Sequence, residues 1–283
     1  MTQFRARLAG NRAVGEYRHL VLVTSAEIGQ VRPGHFATVA VGGRDSGMLL
    51  RRAFSIHRVS TKPSTGTAIE LVIAAKGPGT QWLASQPEGT LIDVIAPLGR
   101  PFSLPKEPVP CVLVAGGYGA APMIALAEEL RSRGCRVDVV LGAATESRLF
   151  GVLDLKRIAD SITVTTDDGS LGVRGMVSDV LPDVMRRADS AVVYACGPMG
   201  MLRAVSEIAA RTGAIAQCAV EEAMACGVGV CMTCVLPVVG DDGRTRMVRS
   251  CTEGPVFRGD RVRWDAVGTV PADAVGAPRT GGH

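Results

Sequence analysis

The sequence predicts a multidomain β plus α/β protein: an antiparallel β-barrel, then a parallel-sheet domain, then a small cysteine-rich region. Three observations carry this prediction. Short strand-like runs separated by glycine and proline fill the chain as far as Ser103, which is typical of a barrel. Strands and helices then alternate, as in a parallel sheet covered by helices on both faces. Four cysteines finally cluster between residues 226 and 251.

The bulk composition fits this architecture and narrows the function. With 283 residues, of which 47% are hydrophobic and 4% aromatic, the chain has enough material for more than one folded domain. The formal net charge is only +4 and both signs alternate along the chain, which argues against a nucleic-acid partner. Neither a signal peptide nor an apolar run of about 20 residues is apparent, so we expect a soluble cytoplasmic protein without a membrane span.

The first predicted domain is the barrel, residues 1–104. Turn residues separate its strands, and no long amphipathic pattern interrupts them. The predicted strands are Tyr17–Val23, Phe36–Val41, Ala68–Ala74 and Leu91–Ile95.

The remaining chain divides into a nucleotide domain, residues 105–214, a cysteine region, residues 215–267, and a flexible tail, residues 268–283, which is rich in Pro, Gly and Ala. A final strand is predicted near Arg261–Trp264 in the cysteine region. The predicted strands of the nucleotide domain are Cys111–Ala115, Val137–Leu141, Ser161–Thr165 and Ala191–Ala195, and its predicted helices are Pro122–Arg131 and Gly200–Thr212.

The clustered cysteines are predicted to bind an iron–sulfur cluster, because they follow the C-x4-C-x2-C…C spacing of plant-type [2Fe–2S] proteins. Flexible glycines between the first two let the loop wrap tightly and bring amide donors to the sulfides. Structural zinc more commonly takes two separated cysteine pairs, and a reducing compartment disfavours disulfides. A zinc site and disulfide bonds nevertheless stay open as alternatives. The predicted ligands are Cys226, Cys231, Cys234 and Cys251.

Two loops of the second domain are predicted to bind a dinucleotide. Each follows a strand of the parallel sheet and precedes a helix, so each lies at the sheet edge where ligands of open α/β folds bind. The first departs from G-x-G-x-x-G because Pro122 replaces the last glycine, and an ordinary tight turn is its alternative. The residues concerned are Gly116, Gly117 and Gly119 in the first loop, and Cys196, Gly197, Pro198 and Met199 in the second.

Two short motifs in the barrel half suit a flavin nucleotide. On a strand, Arg52 and Phe54 share a face, where a guanidinium can hold a diphosphate and a ring can lie against a planar cofactor. The Gly79-Thr80 turn precedes a predicted helix near Gln81, whose amides offer a second phosphate site. Taken alone, each motif is equally typical of an edge strand or a plain turn.

In this order, the motifs resemble the ferredoxin-reductase family of flavoproteins, and most closely the electron-transfer subunits of NAD-dependent, type B dihydroorotate dehydrogenases. The resemblance covers nearly the whole chain except the tail, and the cysteine run is its most specific feature. It implies a flavin-binding barrel that holds FAD, a Rossmann-like domain that binds NAD(H), and a C-terminal [2Fe–2S] region. The FAD contacts that it implies are Arg52, Ala53, Phe54, Ser55, Val72, Ile73, Ala74, Gly79 and Thr80.

The resemblance also implies a function in pyrimidine biosynthesis. Such a subunit passes electrons between NAD and a catalytic dihydroorotate dehydrogenase chain through FAD and the cluster. The implied partner carries FMN and oxidises dihydroorotate to orotate, and two copies of each subunit form a heterotetramer. No acid–base dyad is apparent in this sequence, so we predict no catalytic side chain here and expect substrate oxidation on the partner.

Some residues depart from the pattern or leave alternatives. Ala53 stands where such subunits usually have proline, and Phe54 where the wider family often has tyrosine. After the second strand of the nucleotide domain, Ser147 and Arg148 suit the 2′-phosphate of NADP, so the choice between NAD and NADP stays open. The same cofactors serve reductase subunits of a sulfhydrogenase, a glutamate synthase or an oxygenase. A zinc-stapled nucleotide-sensing module is the alternative from another class.

Overall fold

The computed structural model describes residues 1–43, 46–62, 64 and 66–278. The N-terminal part of the chain forms a closed antiparallel barrel. A helix, α1, crosses between its last two strands in sequence. The elements are β1 (Thr2–Val14), β2 (Tyr17–Thr24), β3 (Phe36–Val39), β4 (Arg52–Lys62), β5 (Gly66–Ala74), α1 (Pro78–Ser85) and β6 (Leu91–Leu98). Around the barrel the strands follow the order β1-β2-β5-β4-β3-β6, so that each of these strands pairs with a neighbour on both sides.

Strand β1 is not among the barrel strands predicted from the sequence. Arginines give this segment a polar composition, yet they alternate with Phe4, Ala6 and Leu8, whose side chains are buried. A period of two places one set in the barrel core and the other in solvent, as a half-buried strand requires. The strand pairs with both β2 and β6 and so closes the barrel.

The second half is built on a seven-stranded sheet with helices between its strands. The elements are β7 (Cys111–Gly116), α2 (Ala121–Ser132), β8 (Val137–Ala143), α3 (Val152–Ile158), β9 (Ser161–Thr166), β10 (Val173–Arg174), α4 (Val177–Ala188), β11 (Val192–Cys196), α5 (Met199–Thr212), β12 (Ile215–Ala219), β13 (Val235–Val239), β14 (Thr245–Arg249) and β15 (Val256–Arg258). The strand order in the sheet is β10-β9-β8-β7-β11-β12-β15, parallel except for the last strand. A two-stranded antiparallel sheet, β13 and β14, is inserted before that strand.

Both faces of this sheet are covered by helices, as the sequence predicts. Leu113 of β7 packs in one core with residues of α2 and α3, whereas its neighbours Val112 and Val114 pack in another with residues of α4 and α5. Alternate side chains of a buried strand point to opposite faces, which explains the continuous apolar run. The predicted fold class, a barrel followed by a parallel-sheet domain and a small C-terminal region, is confirmed.

The C-terminal region returns to this sheet, since β12 and β15 both lie beyond residue 214 and both pair within it. The strand predicted near Arg261–Trp264 is wrong, because the chain turns there into short 3-10 segments at 259–261 and 264–266. The indole of Trp264 donates to the carbonyl of Gly259 at 2.9 Å and so closes the turn. The last strand of this region is instead β15.

The segment predicted to be a flexible tail packs against β14 over its first part. Ala274 is buried, and the amide of Val275 donates to the carbonyl of Thr245 at 2.8 Å. Asp273 also pairs with Arg263 at 2.9 Å. Residues 279–283 lie outside the described residues.

The barrel and the sheet domain share a packed interface. Tyr17 of β2 and Val72 of β5 lie in the same core as α2, and His57 Nδ1 lies 2.7 Å from the carbonyl oxygen of Ala121. The C-terminal edge of the parallel sheet, where β7 and β11 end, therefore faces the barrel. Among the described residues, every helix is too short or too polar to span a bilayer.

Candidate electron-transfer site

The loop that carries the first three cysteines lies flat on the barrel wall. It runs between β12 and β13, and a Cβ atom at Gly227 would lie only 2.4 Å from Thr38 Cγ2 of β3. Gly227 also has a φ of +73°, a value that residues with a side chain rarely adopt, so only glycine fits here. Cys234 and Cys251 are buried in one cluster with Phe36 and Leu98 of the barrel.

The four sulfurs fall into two pairs, Cys226 with Cys231 and Cys234 with Cys251, whose thiols lie within hydrogen-bonding reach of each other. Among the described residues, the one set of three potential ligand atoms within 4.8 Å of one another is at His19, His57 and Glu70, so no three cysteine sulfurs approach that closely. Four thiolates on one zinc at about 2.3 Å would lie within about 4 Å of one another. Two pairs fit a [2Fe–2S] cluster, which takes two cysteines on each iron.

Backbone amides of the loop favour the thiolate form of the first cysteine. Burial raises the pKa of Cys226, but hydrogen bonds from the amides of Val228, Cys231 and Val230 outweigh it and lower that pKa to about 6. The amides of Val228 and Val230 both lie 3.4 Å from Cys226 Sγ. By contrast, burial raises the pKa of Cys251 to about 12, and the neighbouring Cys234 thiol adds to the shift. Amides directed at sulfur are the usual outer contacts of iron–sulfur sites.

Two buried hydroxyls beside this loop have no hydrogen-bond partner. They are Thr38 Oγ1 and Ser250 Oγ; the third such side-chain atom in the described chain is Arg58 Nε. Thr38 touches the loop at Gly227, while the amide of Ser250 donates to the carbonyl of Cys234 at 2.8 Å. Buried hydroxyls without partners are costly, and inorganic sulfide or thiolate sulfur accepts hydrogen bonds. These orphaned donors therefore fit a bound cluster.

The two predicted flavin motifs meet in the structure. Arg52, at the start of β4, extends over Gly79 at the start of α1, where a Cβ atom would lie 2.8 Å from Arg52 Nε. Thr80 caps this helix, because its hydroxyl accepts from the amide of Gly77 at 3.0 Å. A guanidinium beside a helix N-terminus is a site for a diphosphate.

The other residues predicted to contact FAD lie along β4 and β5. Phe54 is half-buried against the barrel core. Ala53 packs on the opposite side of the strand, against the buried hydrophobic group that contains Cys234 and Cys251. Val72 and Ala74 face the core of the sheet domain, while Ile73 points into the barrel. Ser55 pairs with Phe36 in the β3–β4 ladder.

The two predicted dinucleotide loops lie side by side, since β7 and β11 are neighbours and Ala115 pairs with Cys196. A Cβ atom at Gly116 would lie 2.9 Å from Pro198 Cδ, and one at Gly119 would lie 2.4 Å from the Cys196 carbonyl oxygen. Glycine is therefore required for the close approach of the loops. Gly117 has a φ of +56° and Gly197 a φ of +159°.

Sequence reasoning missed a polar contact next to these loops. The hydroxyl of Tyr118 donates to Glu221 Oε1 at 2.5 Å, and Lys76 Nζ lies 5.4 Å from the centre of the Tyr118 ring. Burial raises the pKa of Tyr118, and the hydrogen bond to Glu221 adds to this. Its only sequence signal was the position of Tyr118 inside the glycine-rich loop. The contact joins the barrel, the nucleotide loop and the start of the cysteine region.

Comparison with solved structures defines the class of protein. The structure of the NADH-dependent reduced ferredoxin-NADP oxidoreductase is similar, with a TM-score of 0.78, 28% identity and coverage of 92% of this chain and 90% of that chain. A ferredoxin NADP+ reductase from Neisseria gonorrhoeae with bound FAD and NADP shares the fold, with a TM-score of 0.61, 17% identity and coverage of 75% and 92%. The chain is an oxidoreductase with a ferredoxin-reductase fold.

Sequence relatives narrow this class to one family. The dihydroorotate dehydrogenase B (NAD(+)) electron transfer subunit of Desulforamulus reducens is 35% identical over 82% of this chain and 87% of that protein, and the one from Geobacillus kaustophilus is 35% identical over 91% and 97%. Residues 221–263 match the iron-sulfur cluster binding domain of dihydroorotate dehydrogenase B, and residues 113–207 the oxidoreductase NAD-binding domain. The chain belongs to the family of dihydroorotate dehydrogenase B electron transfer subunits.

Proposed function

We propose that this chain passes electrons between NAD and a catalytic dihydroorotate dehydrogenase subunit, in the step of pyrimidine biosynthesis that converts dihydroorotate into orotate. One observation carries the proposal: two successive residues of β4 contact the two candidate redox sites. Arg52 of β4 reaches the start of α1, while the next residue, Ala53, packs against the buried hydrophobic group that contains Cys234 and Cys251. A flavin and a cluster held there would be close neighbours.

The proposed binding residues follow from this arrangement. FAD is held by Arg52, Ala53, Phe54, Ser55, Val72, Ile73, Ala74, Gly79 and Thr80; NAD(H) by Gly116, Gly117, Gly119, Cys196, Gly197, Pro198 and Met199; and the [2Fe–2S] cluster by Cys226, Cys231, Cys234 and Cys251. When bound, FAD takes up two electrons with a hydride and releases them singly, and the cluster carries single electrons.

The chain's own groups bind and orient these cofactors. The Arg52 guanidinium and the amides at the start of α1 neutralise a diphosphate. The glycines of the two nucleotide loops let a pyrophosphate approach the backbone at the edge of the sheet. Thr38 and Ser250 supply hydroxyl donors beside the cysteine loop. None of these roles requires an acid–base residue.

Each cofactor is assigned to one proposed domain: FAD to residues 1–104, NAD(H) to residues 105–214 and the [2Fe–2S] cluster to residues 215–267. Residues 268–283 form the proposed tail. The third region binds to both others, because its loop lies on β3 while β12 pairs with β11 of the nucleotide domain. These two contacts hold the [2Fe–2S] cluster in a fixed position relative to the proposed FAD site.

The proposed partner is an FMN-containing catalytic chain that oxidises the substrate, in an assembly of two copies of each subunit. The cysteine loop offers a surface for it: Cys231 is exposed, and the flanking Val230 and Met232 are 79% and 50% exposed. Exposed apolar side chains next to a redox centre suit a protein contact across which electrons pass. We place the intersubunit contact at this loop.

The test uses anaerobically reconstituted protein. We expect iron, sulfide and FAD to bind, and NADH to reduce a dye acceptor. Adding the catalytic chain should give a stable complex that reduces NAD+ with dihydroorotate. A colourless protein containing zinc but neither iron nor flavin would support the zinc-stapled module instead. A stable complex with a sulfhydrogenase, glutamate synthase or oxygenase component, and none with the catalytic dehydrogenase chain, would overturn the proposed pathway.

A further inference from the structure

A hairpin of the barrel contacts the turn that follows the second strand of the nucleotide sheet. Glu16 lies at the β1–β2 turn, and Ser147 and Arg148 follow β8. Ser147 Oγ donates to Glu16 Oε1 at 2.6 Å, and Arg148 Nε donates to Glu16 Oε2 at 2.9 Å. One carboxylate from the barrel thus engages both side chains.

This turn is where dinucleotide folds distinguish NAD from NADP. The residues after the second strand lie beside the ribose 2′ position, where an arginine accommodates the 2′-phosphate of NADP. Ser147 and Arg148 supply a hydroxyl and a guanidinium, both of which donate hydrogen bonds to phosphate. By themselves, these two side chains favour NADP.

We propose that Glu16 makes this site selective for NAD(H), by holding Ser147 and Arg148 and by placing a negative charge where a 2′-phosphate would bind. The inference rests on the proposed binding of NAD(H) at the neighbouring loops. A phosphomonoester carries close to two negative charges at neutral pH, so it meets repulsion from Glu16 and competes with it for the same donors. A ribose hydroxyl carries no charge and avoids both costs.

The ion pair is accessible enough to act on a bound nucleotide. The side chains of Arg148 and Glu16 are 52% and 45% exposed, so a ligand can reach them. Exposed ion pairs contribute little to folding stability. The selectivity therefore arises from charge compensation at the binding site, and replacing Glu16 should leave the fold intact.

Two hydrogen bonds to backbone carbonyls keep the turn in place without the carboxylate. The amide of Glu16 donates to the carbonyl of Ser147 at 3.2 Å, and the hydroxyl of Tyr17 donates to the carbonyl of Arg148 at 2.8 Å. A Cβ atom at Gly15 would lie 2.7 Å from the Ser147 carbonyl oxygen, which shows how closely the two segments pack. Glu16→Gln thus removes the charge while the segments stay together.

The experiment compares wild type with Glu16→Gln in the FAD-loaded protein. We expect wild type to reduce a dye with NADH far more efficiently than with NADPH. In the variant, kcat/KM for NADPH should rise about tenfold or more, the order expected for unit charges a few ångströms apart at a protein surface. The value for NADH should stay within about threefold of wild type. Adding Arg148→Ala to the variant should abolish the gain.

Binding of 2′-AMP and 5′-AMP, measured by calorimetry, tests the same inference without electron transfer. Glu16→Gln should strengthen 2′-AMP binding about tenfold and leave 5′-AMP binding unchanged. Glu129→Gln is the matched control, because Glu129 forms a comparable exposed pair with Arg133 at 3.1 Å, at the far end of α2 from the nucleotide loops.

The outcomes separate this inference from the function it rests on. Equal use of NADH and NADPH by wild type, or unchanged NADPH efficiency and 2′-AMP affinity in Glu16→Gln, would overturn the role of Glu16. Failure of wild type to be reduced by either nucleotide would instead overturn the proposed function. Calorimetry would still report on Glu16 in that case: tighter 2′-AMP binding to the variant supports its role, and unchanged binding refutes it.

Discussion

The guanidinium of Arg52 lies beside Gly79, so closely that a Cβ atom at position 79 would lie 2.8 Å from Arg52 Nε. Strand β4 and helix α1 thereby bring a fixed positive charge to a helix N-terminus. Only glycine leaves the guanidinium in this place. The pair is the structural core of the proposed diphosphate site.

We predict that Gly79→Ala weakens FAD binding about ten- to a hundredfold, since the methyl group displaces Arg52 and a hydrogen bond to a charged group contributes about 1.5–3 kcal/mol. Fluorescence titration of the apoprotein with FAD measures this. Gly77→Ala is the control, because a Cβ atom there has no atom of the described residues within 4 Å. Equal FAD affinity of the two variants would refute the site.

Cys231→Ser should abolish the cluster but keep FAD and NADH-driven dye reduction, because Cys231 lies outside the proposed FAD site around Arg52 and Gly79. Iron analysis, visible absorbance and dye assays measure the three properties. Cys135→Ala serves as control, since Cys135 is buried in the sheet domain, away from the loop. If the Cys231 variant also loses FAD, the two sites depend on each other.

Ser250→Ala should lower the reduction potential of the bound cluster. The hydroxyl is fully buried and has no hydrogen-bond partner among the described residues, so it is free to donate to sulfur and to stabilise the extra electron of the reduced form. Spectroelectrochemical titration measures the potential. Ser206→Ala, a buried serine on α5, should leave it unchanged. An unaltered potential in the Ser250 variant would show that its hydroxyl points elsewhere.

Gly119→Ala should raise KM for NADH and destabilise the fold by about 1–3 kcal/mol, the usual cost of overpacking. Its Cβ atom would meet the Cys196 carbonyl oxygen at 2.4 Å, which forces the two nucleotide loops apart. Urea unfolding and steady-state kinetics measure both effects. Gly200→Ala is the control, since a Cβ atom at this position would have no neighbour within 4 Å in the described part of the chain, and it should keep both values close to wild type.

Stability should fall as the pH drops from 7 to 5. Burial lowers the pKa of His35 from 6.5 to about 4, and burial also lowers that of His57. The unfolded state therefore binds more protons in this window, so stability is lost as the pH falls below 6.5, with a limiting slope of about 1.4 kcal/mol per pH unit from His35. Urea unfolding at several pH values measures the slope. His35→Asn should reduce it, and an unchanged slope would contradict the assignment.

The sequence by itself determined the features that depend on local pattern. Cysteine spacing predicted the cluster ligands, glycine-rich turns after buried strands predicted the two nucleotide loops, and alternating elements predicted the parallel sheet. Such signals are local because ligand spacing, turn geometry and hydrophobic period involve residues near one another in the chain. Where composition masks the period, as in β1, or where a turn replaces a strand, as at 261–264, the same reasoning fails.

Only the tertiary structure decided which distant residues meet. Closure of the barrel places Arg52 over Gly79, and docking of the barrel on the sheet brings Glu16 to Arg148 and lets Tyr118 contact Lys76. The sequence presented Ser147 and Arg148 as a site that favours NADP, because their neutralising carboxylate comes from another domain. Contacts between distant segments depend on how complete elements pack, and a local pattern does not contain that information.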